Sequence, residues 1–184
     1  MNILITGKPG CGKTTLISRI VEELRARGFR AGGICCPEIR ERGRRVGFMI
    51  VDLMSGESRI LSHISEKGPK VGKYGVNVRN VDEMSRRAIE RALNEADLIV
   101  IDEIAPMEVL SDVFRRYVLK ALSSEKPLLA AVHEKSSRGF IGEIKGREDV
   151  LLFTLTADNR ERLFSEILSA LLSHLGNTSQ HSNR

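Results

Sequence analysis

The chain has 184 residues, of which 41% are hydrophobic and 29% are charged, and its formal net charge is +5. These values are ordinary for one globular domain, and no run approaches the ~20 apolar residues that a membrane span requires. No secretory leader is recognisable, and the three cysteines show no zinc-site spacing. We therefore expect one cytoplasmic, monomeric domain over residues 1–175, not attached to membranes, and a polar, disordered tail at 176–184.

The positive charge suits an anionic ligand, but it also suits a globular domain that has no anionic partner. Nucleic-acid binding is compatible with this charge. It is not indicated, because two Tyr and no Trp offer no evident base-stacking surface.

The first half of the chain combines apolar strands with one amphipathic helix. The run "NILIT" at 2–6 predicts a strand, and apolar residues at helical spacing predict a helix from Lys13 to near Gly28. Later segments predict a strand at 30–36, two or three strands with glycine turns at 38–61, and a loop with four turn formers at 62–79.

In the second half, helices and apolar strands alternate. Asn80 followed by Glu83 predicts the capped start of a helix. The run "DLIVIDEI" at 97–104 predicts a buried strand, and a helix over about 111–123 follows it. Two further strands and a last helix are predicted at 127–133, at 150–156 and from Asp158 onward.

The order of these elements predicts the fold class. Strands that alternate with helices favour a mostly parallel sheet with helices on both faces. We therefore predict a three-layer α/β fold, in which residues 38–61 form a β-hairpin excursion.

The segment "GKPGCGKT" at 7–14 matches the phosphate-binding pattern G-x-x-x-x-G-K-[ST] at every fixed position. Its glycines let consecutive N–H groups turn towards phosphate oxygens, and the N-terminus of the following helix adds a positive dipole. Lys13 is expected to reach the β- and γ-phosphates, Thr14 to bind Mg²⁺, and Thr15 to donate to the α-phosphate. The predicted phosphate-binding residues are Gly7, Lys8, Pro9, Gly10, Cys11, Gly12, Lys13, Thr14 and Thr15.

Two acids, Asp102 and Glu103, lie near the end of the predicted buried strand at 97–104. A Mg²⁺ ion that bridges phosphates prefers hard oxygen ligands, so Asp102 is predicted to serve the metal together with Thr14. Glu103 could polarise a water aimed at the γ-phosphate, could accept a proton from another hydroxyl, or could simply face solvent. We predict catalytic roles for Glu103, as the base, and for Lys13, as the stabiliser of phosphate charge.

His133 follows the apolar strand "LLAAV". In sheets of this kind that strand often lies beside the phosphate-loop strand and presents a polar residue to the γ-phosphate. We predict that His133 is a γ-phosphate sensor in the catalytic site, although a hydrogen-bonded histidine at a strand end explains it equally well.

Basic residues elsewhere leave several roles open. The arginine-rich segment at 40–45 could clamp a phosphate or form a solvated hairpin, and Lys73 with Tyr74 is suited to a closing lid. The candidates for an arginine finger are Arg40, Arg45, Arg59 and Arg138.

Five segments together resemble the small P-loop nucleoside-triphosphatases of the Thep family: "GKPGCGKTTLI", "EIRERGRRVGF", "GPKVGKYGVNV", "VIDEIAPME" and "LTADNRERL". The resemblance covers roughly residues 2–172. It implies a RecA-like sheet with an extra strand between the phosphate-loop strand and the acidic strand. It also implies slow, Mg²⁺-dependent hydrolysis of several nucleoside triphosphates to diphosphates.

The resemblance also implies a second nucleotide-contacting stretch, in which Asp102 serves the metal and Glu103 the water. Its residues are Leu98, Ile99, Val100, Ile101, Asp102, Glu103, Ile104 and Ala105. The family pattern commonly has Gly at the position of Ala105, which matters if this position requires a positive φ.

The predicted function is Mg²⁺-dependent hydrolysis of ATP, GTP, CTP and UTP. No guanine-reading N-K-x-D pattern is present, and Asn159 and Arg160 are candidate base or ribose contacts. One alternative is a small-molecule kinase that uses residues 38–79 as acceptor site and lid. The other is a GTP-binding adapter resembling those of molybdenum-cofactor assembly.

Overall fold

A computed structural model of the chain describes the backbone of residues 1–181 and the side chains of residues 1–177. Within these residues, ten strands form one sheet. The strands are β1 (Asn2–Thr6), β2 (Ala31–Cys35), β3 (Glu38–Glu41), β4 (Arg44–Asp52), β5 (Ser58–His63), β6 (Lys70–Val71), β7 (Tyr74–Val76), β8 (Leu98–Ile104), β9 (Leu128–Val132) and β10 (Val150–Thr154).

The sheet has a parallel part and an antiparallel extension. Its order is β10-β1-β9-β8-β2-β4-β5-β7-β6, and β3 pairs with β4 beside this path. The first five strands of this order pair in parallel, and the remaining pairs are antiparallel. Since β9 lies between β1 and β8, the extra strand of a RecA-like sheet is present.

Helices cover both faces of the sheet. They are α1 (Lys13–Ala26), α2 (Val78–Met84), α3 (Glu90–Glu95), α4 (Asp112–Leu122), α5 (Gly139–Lys145) and α6 (Arg160–His181), with a π-helical turn at Ser85–Ile89 and a 3₁₀ turn at Glu108–Leu110. Alternate residues of a strand point to opposite faces. In β1, Ile3 and Ile5 therefore pack under α1 and α6, whereas Leu4 packs under α2 to α5. The predicted α/β fold with helices on both faces is confirmed.

Two local predictions need correction, and one helix was missed. The helix cap lies at Asn77 and not at Asn80, because the Asn77 side chain accepts a hydrogen bond from the Asn80 amide at 3.0 Å. Residues 62–79 are not one loop, since β6 and β7 form a short antiparallel hairpin there. The helix α5 was not predicted, because its two turns bury only Ile141 and Ile144 and give too short a pattern.

The last helix extends further than the sequence pattern suggests. Its backbone remains helical through 176–181, so the predicted disordered tail begins inside a helix, and residues 182–184 lie outside the described part of the chain. Among residues 1–181, no helix combines the length and apolarity that crossing a membrane requires.

Candidate active site

The loop between β1 and α1 carries the predicted phosphate cradle. Gly7, Gly10 and Gly12 have φ angles of 150°, 76° and 101°, which side-chain-bearing residues rarely adopt. At Gly7, a Cβ would approach the Leu155 carbonyl oxygen to 2.6 Å. The glycine spacing of the motif therefore allows the loop to wrap around the N-terminus of α1, where free amide groups favour an anion.

Lys13, the first residue of α1, is buried, and its side chain reaches back to the start of the loop. Its Nζ donates to the carbonyl oxygen of Gly7 at 3.0 Å. The ammonium group thus lies beside the phosphate cradle, where it can stabilise negative charge.

The two acids lie at the carboxyl end of β8, and a cis peptide bond joins them. Asp102 is buried, and this burial raises its pKa to about 6, while the hydroxyl of Thr14 opposes the rise. Burial also raises the pKa of Glu103, against the opposing effect of Lys13 and Lys145. Both carboxylates are therefore close to cationic groups in a site where water solvates them poorly.

The oxygens of Thr14 and Asp102 are of the hard type that Mg²⁺ prefers. A Mg²⁺ ion on phosphates retains several waters and needs only one or two protein oxygens. Among the described residues, no group of three or more His, Cys, Asp or Glu side chains gathers as a metal site. Burial disfavours the ionised form of the Asp102 carboxyl group. A divalent cation would stabilise that ionised form, so the site fits such a cation.

His133 lies beyond β9, at the same edge of the sheet as the acids. Its Nδ1 is 2.8 Å from the Ser136 hydroxyl, which leaves Nε2 available to a ligand. Lys145 donates to the carbonyl oxygens of His133, Glu134 and Ser136 at 2.6, 2.9 and 2.9 Å and so holds this loop. Burial, Lys145 and Lys13 lower the pKa of His133, and the neutral imidazole is favoured.

These parts surround one cleft of about 590 Å³. It is lined by eleven of the predicted residues: Gly7, Pro9, Gly10, Gly12, Lys13, Thr14, Thr15, Asp102, Glu103, Ala105 and His133. Positive φ angles outside glycine occur, within residues 1–181, at Arg42 and not at Ala105. Alanine therefore fits the backbone at 105.

The other predicted residues do not line this cleft, although all of them lie in the described part of the chain. The Lys8 side chain is exposed, and Cys11 packs against the core under α1 and α6. Five apolar residues of β8 are buried in the sheet, because helices cover both of its faces: Leu98, Ile99, Val100, Ile101 and Ile104. Only the carboxyl end of the predicted second stretch therefore reaches the cleft.

The sequence predicted the wall of the cleft that faces the cradle only in part, through the kinase alternative, which assigned residues 38–79 to an acceptor site and lid. This wall consists of Cys36, Glu38, Arg45, Phe48, Val71, Met107 and Glu108. Of the four candidate arginines, all of which are described, only Arg45 lies on this wall. Tyr74, which the sequence suggested for a lid, is buried, and its hydroxyl accepts from the Nε of Arg45 at 3.0 Å.

Arg160, at the start of α6, contacts the cradle from outside. Its Nη2 donates to the carbonyl oxygen of Cys11 at 2.9 Å. The Nε atom is buried and has no hydrogen-bond partner among the described residues. Arg160 was a candidate base or ribose contact, and the contact that it makes here is with the loop itself.

The cradle at the β1–α1 junction, with one strand between β1 and the acidic strand β8, defines a P-loop protein of the NTPase fold. Comparison with known proteins agrees. A family model described as NTPase matches residues 2–168. Nucleoside-triphosphatase THEP1 from Methanothermobacter thermautotrophicus is 45% identical over 176 residues, which are 96% of this chain and 99% of that protein. The THEP1 protein of Thermotoga maritima is 46% identical over 177 residues, with 96% and 98% covered.

Two solved structures are also similar. The crystal structure of THEP1 from Aquifex aeolicus has a TM-score of 0.82 and 36% identity, and covers 93% of this chain and 99% of its own. The solution structure of a human cancer-related nucleoside triphosphatase has a TM-score of 0.78 and 32% identity, with 94% and 97% covered. The chain belongs to the THEP1 family of nucleoside-triphosphatases, which confirms the family resemblance of its sequence motifs.

Proposed function

We propose that this protein hydrolyses nucleoside triphosphates to diphosphates and inorganic phosphate, with Mg²⁺ and with little discrimination between bases. One observation carries the proposal: Lys13, Asp102 and Glu103 line the same cleft beside the phosphate loop. The curated relatives and the human structural neighbour are named as nucleoside triphosphatases, which supports the reaction class.

In the proposed reaction, the triphosphate lies along the cradle, and a water attacks the γ-phosphorus in line. Glu103 accepts the proton of that water, the bond from the γ-phosphorus to the bridging oxygen breaks, and the diphosphate takes the electron pair. Lys13 and the cradle amides stabilise the charge on the β- and γ-phosphates. When Mg²⁺ is bound, Thr14 and Asp102 would hold it, and it would neutralise part of this charge.

His133 completes the proposed site. In the tautomer whose Nδ1 accepts from Ser136, the ring carries its proton on Nε2 and can donate to a γ-phosphate oxygen. A lowered pKa keeps this imidazole neutral, so the donor remains a single N–H group. A monomeric state and a cytoplasmic location belong to the same proposal, and three free cysteines agree with a reducing compartment.

The test is phosphate release from ATP, GTP, CTP and UTP in the presence of Mg²⁺. Lys13→Ala is expected to abolish release, and Glu103→Gln to lower the rate at least about 100-fold with nucleotide binding retained, as for loss of a general base. Lys120→Ala and Glu143→Gln are matched controls on exposed side chains outside the cleft and should behave like the parent protein.

Two results would contradict the proposal. Full phosphate release by Glu103→Gln would remove Glu103 from the mechanism. Tight binding of GTP alone, without turnover, would instead favour a binding adapter.

A further inference from the structure

The cleft extends beyond the space that hydrolysis requires. In the sheet, β1, β9, β8, β2 and β4 follow one another in this order. The cradle follows β1, the acids end β8, and the residues Cys36, Phe48 and Arg45 lie at or beside β2 and β4. Beyond Glu103, therefore, the cleft continues away from the cradle, whereas an attacking water occupies only about 30 Å³.

The nucleoside is expected on the other side of the cradle. Lys13 and Thr14 are expected at the β- and γ-phosphates and their Mg²⁺ ion, and Thr15 is expected at the α-phosphate, to which the nucleoside is attached. The turn before α6, with Asn159 and Arg160, lies next to β10, on the opposite side of β1 from β8. Neither residue lines the cleft, although both are described. The space beyond Glu103 is thus left for a second molecule.

Glu108 provides a carboxyl group in this space that is only partly used, since the Cys36 side chain is its hydrogen-bond partner. The residue is 4% exposed and lines the cleft, and its Oε2 has no hydrogen-bond partner in the described part of the chain. A buried oxygen without a partner is costly, and hydrolysis by Glu103 gives it no role. A ligand hydroxyl would provide the missing partner.

The wall around Glu108 combines apolar surface with one ordered charge pair. Phe48 packs against Tyr74 with ring centroids 5.6 Å apart. Arg45 is held by Tyr74 at 3.0 Å and by Glu38 at 3.0 Å, so its guanidinium is largely balanced and fixed. With Val71 and Met107 alongside, this wall suits a small organic molecule with an apolar body better than a free anion.

We propose that the compartment formed by Cys36, Glu38, Arg45, Phe48, Val71 and Glu108 binds a hydroxyl-bearing small molecule, and that its hydroxyl competes with water for the γ-phosphoryl group. The alcohol oxygen forms a bond to the γ-phosphorus, and the bond to the bridging oxygen breaks. The diphosphate leaves with the electron pair, and Glu103 accepts the hydroxyl proton. Glu108 orients the alcohol by hydrogen bonding. This inference rests on the proposed function, since it uses the same phosphate site.

The experiment uses 1,3-propanediol as the probe acceptor and ATP labelled at the γ-phosphate. Labelled phosphate ester and labelled inorganic phosphate are separated and counted across a range of diol concentrations. We expect a ratio of ester to phosphate that exceeds the molar ratio of diol to water by about tenfold or more, because a bound acceptor has a high effective concentration. Val71→Trp, which fills the compartment, should reduce the ratio to the molar ratio, and Glu108→Gln should lower it.

Ile60→Trp is the matched control, since Ile60 is an exposed residue of the antiparallel extension outside the cleft; its ratio should equal that of the parent protein. Thermal denaturation of each variant verifies folding. Inorganic phosphate without excess ester in the parent protein would overturn this inference and leave hydrolysis intact. An excess that persists in folded Val71→Trp would also overturn it. Failure to form either product would count against the proposed function itself.

Discussion

At the scale of single residues, the phosphate loop depends on a side chain from a distant part of the chain. Arg160 donates to the Cys11 carbonyl, and its guanidinium would lie 3.2 to 3.4 Å from a Cβ at position 12. This contact restrains the loop between Gly10 and Lys13, and the φ of 101° at Gly12 favours glycine there. Arg160 is therefore a positioning residue for the cradle.

Arg160→Ala is expected to raise the KM for ATP about tenfold, because a hydrogen bond from a charged group is worth about 1.5 kcal/mol or more. The kcat should change less, since the reacting groups remain in place. Steady-state phosphate release at several ATP concentrations measures both constants, and Arg160→Lys should recover part of the loss.

Arg162→Ala provides the matched control, because Arg162 is exposed and pairs with Glu166 on the same helix. A lower kcat at unchanged KM in Arg160→Ala would show that Arg160 acts on the reacting phosphate instead of on the loop.

At the scale of elements, β2 joins the parallel part of the sheet to the antiparallel extension. It pairs in parallel with β8 and antiparallel with β4. Gly33 has a φ of 122°, and a Cβ there would approach the Val100 carbonyl oxygen to 2.0 Å. Close contact between β2 and β8 thus requires glycine, and β8 carries the two acids of the site.

Gly33→Ala is expected to lower the free energy of unfolding by about 3 kcal/mol, since both the clash and the strained φ must be relieved by moving a strand. Urea denaturation measures the change. Gly56→Ala is the control: its φ is also positive, at 74°, but a Cβ there meets nothing within 4 Å. Gly56→Ala should lower the free energy of unfolding by only about 1 kcal/mol. Equal decreases in the two variants would refute the role of the contact between β2 and β8.

At the scale of the whole molecule, the buried acids of the cleft make stability depend on pH. Burial raises the pKa of Glu108 from 4.5 to about 8, and the nearby Glu103 and Asp102 add to the rise. In the unfolded chain this carboxyl ionises near its ordinary pKa. The contribution of Glu108 to stability is therefore fully present below about pH 4.5 and is lost as the pH rises to about 8.

We predict that Glu108→Gln makes the stability profile flatter over this range. Between about pH 4.5 and pH 8, the free energy of unfolding of the parent protein should fall by up to about 5 kcal/mol more than that of the variant. The expected slope is about 1.4 kcal/mol per pH unit. Chemical denaturation of the nucleotide-free protein across this range measures the difference. The exposed Glu148→Gln should follow the parent protein, and parallel profiles for Glu108→Gln and the parent protein would contradict the prediction.

Much of the fold could be predicted because its signals are local. The strand β1, the helix α1 and the strand β9 lie within a residue or two of their predicted bounds, since apolar spacing over a few turns specifies each of them. The hairpin of β6 and β7 escaped prediction because a strand of two or three residues has no measurable period. Asn77 escaped it because the capping residue is chosen by backbone geometry as well as by side-chain type.

By itself, the sequence determined the phosphate cradle and its place between a strand and a helix, because eight consecutive residues and their neighbours specify that geometry. It also determined that two acids end a buried strand. Only the tertiary structure decided which groups face these acids. Arg45, Phe48 and Glu108 reach the cleft through the pairing of β8 with β2 and of β2 with β4, and Arg160 reaches the cradle through the packing of α6. Such contacts join residues far apart in the chain, and no local pattern of side chains encodes them.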